Sequence, residues 1–255
     1  MDETPPPVSL PVADCSLCPF RGKTLLMGRC MPGDTCIFVE SGRQIDRFFR
    51  VNPGYASRYL TDKFWERRAI AVRYAPQKEL GALINDEDEV VRRAVAYRLS
   101  PSQLPCLLQD PDREVRMTVA DRIDLEHLEQ LAEDFDYIVR LMVARRLPVG
   151  RLFRFIKDED EEVRICVAGR LPEVSLGLMA HDPSANVRRV VAERMSCEDA
   201  VMFLRDEDWV VRYNAALKVD IRELSVLLDD PEPDVREVAQ QRLSCLTNAM
   251  DSDHD

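Results

Sequence analysis

Four cysteines open this chain in the order Cys15-x2-Cys18-x11-Cys30-x5-Cys36, with no histidine or disulfide-style spacing among them. Four thiolates can close a tetrahedral zinc site or hold an iron–sulfur cubane. Zinc ribbons usually close with a second short Cys-x-x-Cys knuckle, whereas Cys30-x5-Cys36 makes a wider loop. Cys18-Pro19 and the Pro32-Gly33 pair beside Cys30 are of the kind that accompanies ferredoxin cysteines. On spacing alone the order of preference is iron–sulfur, then zinc, then four structural free thiols. An iron–sulfur core carries net negative charge, so Arg21, Lys23 and Arg29 between the ligands are candidates to offset it. Gly22, Gly28 and Gly33 would let backbone N–H groups approach it.

The remaining cysteines, Cys106, Cys166, Cys197 and Cys245, are scattered and read as core or surface thiols. The Asp-x-Asp pairs described below read as helix caps rather than cation sites. There is no Gly-rich phosphate loop and no His-Glu-x-x-His, and His127, His181 and His254 stand alone. Nothing in the sequence points to an enzyme.

These cysteines need a scaffold, and charge divides the chain into two parts. Residues 1–68 hold 10 basic and 8 acidic side chains, and residues 69–255 hold 25 and 38, within a net charge of −11. That balance opposes non-specific contact with nucleic acid or anionic membrane unless basic groups are segregated on one surface. The acidic, proline-rich amino terminus is not a signal peptide and no apolar run is long enough to span a bilayer, so a cytoplasmic protein is expected.

The second part is a repeat. Val91-Arg92 recurs as Val115-Arg116, Val139-Arg140, Val163-Arg164, Val187-Arg188, Val211-Arg212 and Val235-Arg236, always 24 residues apart, which is the signature of a stacked solenoid. With Val91 as position 1, apolar residues fall at positions 1, 5 and 9, and alanine usually occupies position 6. That is a helix stripe and not the alternation of a strand. Position 20 is always Asp (Asp86, Asp110, Asp134, Asp158, Asp182, Asp206, Asp230) and is expected to cap a helix of about 13 residues, with Pro101, Pro148 and Pro172 marking helix ends. A second apolar trio at positions 14, 17 and 18 leaves room for only one or two turns, plausible as 3₁₀. The fold class expected from the residues is therefore all-α, with long and short helical elements alternating.

Two basic rows follow. Position 2 lies in the apolar arc of the helical wheel and has a carboxylate four residues earlier in most copies. It is expected to form a ladder of i,i+4 pairs. Position 8 (Arg98, Arg122, Arg146, Arg170, Arg194, Lys218, Arg242) has no obvious partner in sequence, so it is the row that would face a nucleic acid, if any did.

The combination of the Val-Arg-x-x-Val-Ala-x-Arg-Leu repeat with a four-cysteine module resembles the leucine-rich repeat variant (LRV) proteins across roughly residues 10–246. The resemblance implies a right-handed superhelix of alternating α- and 3₁₀-helices. It also implies a [4Fe-4S] cluster on Cys15, Cys18, Cys30 and Cys36; zinc is the alternative cofactor that the spacing alone leaves open. The expected organisation is a cysteine-rich module with short helices over 1–60, a repeat solenoid over 61–246 and an acidic tail over 247–255. The expected function is a scaffold that binds a protein or other macromolecule, with the cluster in a structural or redox-sensing role. The alternatives are electron transfer, with the solenoid docking a redox partner, and nucleic-acid binding through the position-8 row, which is not favoured. No membrane partner is expected.

Overall fold

The computed structural model describes residues 11–251; residues 1–10 and the last four of the acidic tail, residues 252–255, lie outside the described residues. The described secondary structure is helical, with a lone antiparallel bridge between Met31 and Thr35. The chain divides into two compact units, Met1–Gln130 and Leu131–Asp255.

The first unit carries α1 (Gly42–Val51), α2 (Trp65–Tyr74), α3 (Glu89–Arg98), α4 (Arg113–Arg122) and the single-turn α5 (Leu125–Leu128). The second carries α6 (Tyr137–Arg146), α7 (Glu161–Arg170), α8 (Ala185–Arg194), α9 (Trp209–Ala216) and α10 (Pro233–Asp251). Within each unit neighbouring repeat helices pack on one another, and seven-residue 3₁₀ segments such as Gln77–Leu83, Val149–Phe155 and Glu173–Met179 join them.

The periodic positions form the core. Position 1 valines (Val91, Val115, Val163, Val187) and position 6 alanines (Ala96, Ala120, Ala168, Ala192) are fully buried, as are Leu104, Leu152 and Leu176 from the short segments. Each buried valine gains about 1.5–3 kcal/mol from leaving water, which exceeds the few tenths it costs as a helix former. Packing sets the helix here, and alanine at position 6 lets the next helix come close.

Two expectations change. The helices run ten residues, not 13, because both ends move inward. The residue at position 9 already has extended ψ, near 150°, in Leu99, Leu147 and Leu171. Leu147 and Leu171 each precede proline, whose ring disfavours helical backbone in the residue before it. At the other end the cap is position 22 and not position 20: Asp88, Asp136 and Asp160 accept from Val90, Ile138 and Glu162 N–H, and Ser184 does the same for Asn186.

The position-20 aspartates do something else. Each folds the turn before the helix by accepting the N–H two residues on, as Asp158 does from Asp160 and Asp182 from Ser184. The same carboxylate takes a two-pronged bond from the position-2 arginine 18 residues earlier, one repeat back. Arg140 reaches Asp158 at 2.8 and 2.8 Å, Arg164 reaches Asp182 at 2.8 and 3.1 Å, and Arg212 reaches Asp230 at 2.7 and 2.8 Å. In the first unit Arg68 holds Asp86 and Arg92 holds Asp110 in the same way. The third nitrogen donates to backbone carbonyls at the preceding turn, as Arg164 Nη1 does to Asp158 O at 2.7 Å. The position-2 row is thus a ladder, as its place in the apolar arc suggests. Its rungs join successive repeats instead of pairing within one helix, because the carboxylate four residues earlier is already committed to the helix N-terminus.

Candidate functional site

The cysteine-bearing segment is a chain of turns braced against α1. Cys18 N–H donates to Cys15 O at 3.4 Å and Arg21 N–H to Cys18 O at 3.1 Å, leading into one wide helical turn, Arg21–Leu25. Gly28 and Gly33 then take φ of +66° and +80°, a left-handed conformation that side chains resist, and these reversals let the segment fold back. On either side of Gly33, Met31 and Thr35 exchange backbone bonds at 2.9 and 2.8 Å. That bridge explains the five-residue spacing: Cys30 and Cys36 are the next residues out on its two arms, so closing the bridge sets them opposite each other.

Buried side chains hold this arrangement from beneath. Phe20 packs on Phe38, Phe48 and Tyr55 with ring centres 5.9, 5.5 and 5.0 Å apart, and Ile45, Phe48 and Phe49 of α1 are fully buried. Asn52, at the end of α1, donates to Arg29 O at 2.7 Å and Phe48 O at 3.0 Å, tying the residue before Cys30 to the helix. Gln44 donates to Pro11 O at 2.9 Å, and its own backbone carbonyl accepts from Cys36 N–H at 3.2 Å. Its buried Oε1 has no partner among the described residues. Asp34 pairs with Arg47 of α1.

The fold brings all four candidate thiols into one neighbourhood. Cys30 and Cys36 are buried, and Cys15 and Cys18 are half-buried. Burial pushes the Cys30 thiol up to about 11, and the charges of Cys36, Cys18 and Cys15 push the same way, so the four lie within electrostatic reach. Among the described residues no three of these or other His, Cys, Asp or Glu side chains close around a single point. The donor set itself is four reduced thiols with no carboxylate or imidazole among them, which suits a thiolate-ligated group. Arg21, Lys23 and Arg29 lie on the exposed side of the same turns, as an anionic group would require.

Sequence reasoning named the four thiols and missed Asn52 and Gln44. Neither residue type is unusual and neither lies near the cysteines in sequence; only the return of α1 beneath the loop gives them their role. Of the scattered cysteines, Cys106 and Cys197 are exposed and Cys166 is half-buried, all without a disulfide, while the side chain of Cys245 lies outside the described residues.

The position-8 row has partners after all. Arg170 donates to Ala144 O and, at 2.9 Å, to Leu147 O; Arg194 donates to Ala168 O, and Lys218 to Glu193 O and, at 2.7 Å, to Met195 O. In the first unit Arg98 reaches Val72 and Ala75 O at 2.7 and 3.0 Å, and Arg122 reaches Ala96 O. Each cation therefore caps the carboxyl end of the preceding repeat's helix, where free carbonyls and the helix dipole favour positive charge. This row stitches repeats together, so it is not a spare basic ridge.

Residues 11–58 match the family described as "LRV protein FeS4 cluster", the stretch that holds all four cysteines, Gln44 and Asn52. An uncharacterized 27.7 kDa protein in the nifB 3′ region of Rhodobacter capsulatus is 37% identical over 86 residues, 34% of this chain and 35% of that protein, so the match spans about a third of that relative's length. A solved structure described as a leucine-rich repeat variant with a novel repetitive protein structural motif is 58% identical, with a TM-score of 0.89, over 91% of this chain and 100% of that one. A cysteine module that matches an FeS4-cluster family, followed by 24-residue α/3₁₀ repeats, is the organisation seen here, and the chain belongs to the leucine-rich repeat variant proteins.

Proposed function

We propose that Cys15, Cys18, Cys30 and Cys36 each give one thiolate to a [4Fe-4S] cluster, and that the repeats serve as a scaffold for a macromolecular partner, most simply a protein. The observation that carries the metal reading is four reduced thiols, with Cys30 and Cys36 next to the Met31–Thr35 bridge on its two arms, on a stretch whose family is described by its FeS4 cluster. When bound, such a group supplies a one-electron centre and a cross-link that oxygen can break. The chain's own part is to bring the turns of residues 15–36 onto α1, to shelter two of the four thiols, and to set Arg21, Lys23 and Arg29 beside an anionic core. The group would then report on, or hold, the fold of the module, because losing it releases the turns it ties. The protein works by binding rather than catalysis, in the cytoplasm, where thiolates stay reduced. Zinc on the same four thiolates is the competing assignment.

Electron transfer is the second reading, and the partial exposure of Cys15 and Cys18 favours keeping it, since a one-electron centre near the surface can exchange with a docked partner. Iron and acid-labile sulfide analysis of anaerobically purified protein tests the first proposal, with about four of each per chain expected. Zinc instead would sink it. Potentiometric titration followed by EPR divides the two roles, because a holoprotein with no reversible couple is not an electron carrier.

A further inference from the structure

The turns that carry the cysteines have two apolar sides. The inner side is closed: Thr24 and Cys30 are buried, and Phe20 packs on Phe48 of α1. The outer side is open: Leu17 is 90% exposed, Leu26 80%, Met27 64% and Met31 58%. Four large apolar side chains exposed within residues 17–31 give the module an apolar surface of the kind partners use. The charge of the same stretch leans positive. Residues 14–34 contain Arg21, Lys23 and Arg29 against Asp14, which is close enough to Arg21 to feel its charge, and Asp34, which is paired with Arg47; among the described residues Arg21, Lys23 and Arg29 form no ion pair. An apolar centre of leucine and methionine with a cationic rim is the composition of a protein-docking patch.

We propose that the outer face of residues 15–33 docks an acidic protein that presents an apolar spot ringed by carboxylates. The inference goes beyond the scaffold reading because it places the contact on the cysteine module and not on the repeats, and it stands whichever metal the thiols hold. Charge decides among occupants. A second copy meeting the patch face to face would set three cations against three, which disfavours a symmetric dimer. An anionic membrane or a nucleic acid would also meet residues 69–255, which hold 38 acids against 25 bases and repel both. An acidic protein surface needs only to reach the module.

The test places a photo-crosslinking residue at Leu26 in the full-length chain, produced in the organism that makes it, with Val174, 92% exposed on the second unit, as the control site. The expected result is an adduct at residue 26 and not at 174, to an acidic protein. Binding of that protein, once purified, should weaken at least about tenfold between low and high salt, as an electrostatically complementary contact does. It should also be lost in Met27→Glu with iron content unchanged. Any of four results overturns the proposal. They are no adduct at residue 26, an adduct of twice the chain's mass, binding to phosphatidylserine vesicles without a protein, or a captured protein that ignores both salt and Met27→Glu. If Met27→Glu also lowers iron, Leu17→Gln serves instead; iron loss in both variants would mean that these side chains cover the metal group, and would equally end the docking proposal.

Discussion

Asn52 shows how much of a metal site lies outside its ligands. Its amide is buried and spends both hydrogens, one on Arg29 O and one on Phe48 O. Truncation strips the Arg29 carbonyl of this donor, while Phe48 O keeps the Asn52 backbone N–H at 2.9 Å, and so frees the segment that leads into Cys30, a loss of about 1–3 kcal/mol concentrated on the module. Asn52→Ala is therefore expected to lose iron roughly tenfold faster to a chelator, the scale on which outer-shell partners act. The far-ultraviolet circular dichroism of the repeats should not change. Equal iron retention in wild type and variant would show that the loop does not depend on this tie. The cysteines were legible in the sequence because their chemistry is local: type and spacing alone nominate thiolate ligation. Asn52 and Gln44 were not, since an amide acquires such a role only when a distant backbone carbonyl arrives beside it.

At the scale of the element, the 24-residue period disclosed the helix, its buried valines and alanines, and the short 3₁₀ partner. It did not disclose which polar groups pair, because a period fixes position within a repeat and the pairs cross between repeats. The aspartates at position 20 of the repeat have the residue type of a cap, yet they receive the preceding repeat's arginine; the cap sits two residues later. The Arg164–Asp182 rung is nearly enclosed, with both residues buried. The hydrogen bond and charge of Asp182 hold the Arg164 guanidinium above its ordinary range in spite of burial. Removing one partner strands a buried charge, so Asp182→Ala should cost about 3–5 kcal/mol in urea unfolding. The pair Arg164→Met with Asp182→Leu should cost clearly less than the sum of the single changes, and additivity would show that the rung is not a coupled unit. Position 8 makes a separate prediction. Arg170→Met removes the cation from the carbonyls of Ala144 and Leu147 and should cost about 1.5–3 kcal/mol, the range for charge-assisted bonds. If it left stability untouched, the row would be free for a ligand after all.

Across the whole molecule, the acidic excess is mostly used rather than displayed. Carboxylates fold the turns, cap the helices and receive arginines, and a group that is bonded only when ionised resists protonation. For Asp158 burial works upward, but Arg140, the Asp160 N–H and nearby Arg164 outweigh it and leave the carboxyl below its usual range. Asp230 is lowered by the same balance through Arg212, and Asp208 by Arg189, which holds it at 2.7 Å. Because these folded-state values lie below the unfolded value of 3.8, their contribution to stability is complete above that pH. It is lost only as the pH falls through the depressed values. Melting followed by circular dichroism should therefore show a plateau from neutrality to about pH 5, then a steep drop below about pH 4, as the rungs protonate and the arginines are left with each other's charge. Asp230→Ala removes one such carboxylate and should lower the plateau more than it lowers stability at pH values below the depressed range, where that carboxylate is protonated. A variant displaced equally at every pH would mean that the rungs contribute packing alone, and that the solenoid's acidity is surface charge instead of its internal fastening.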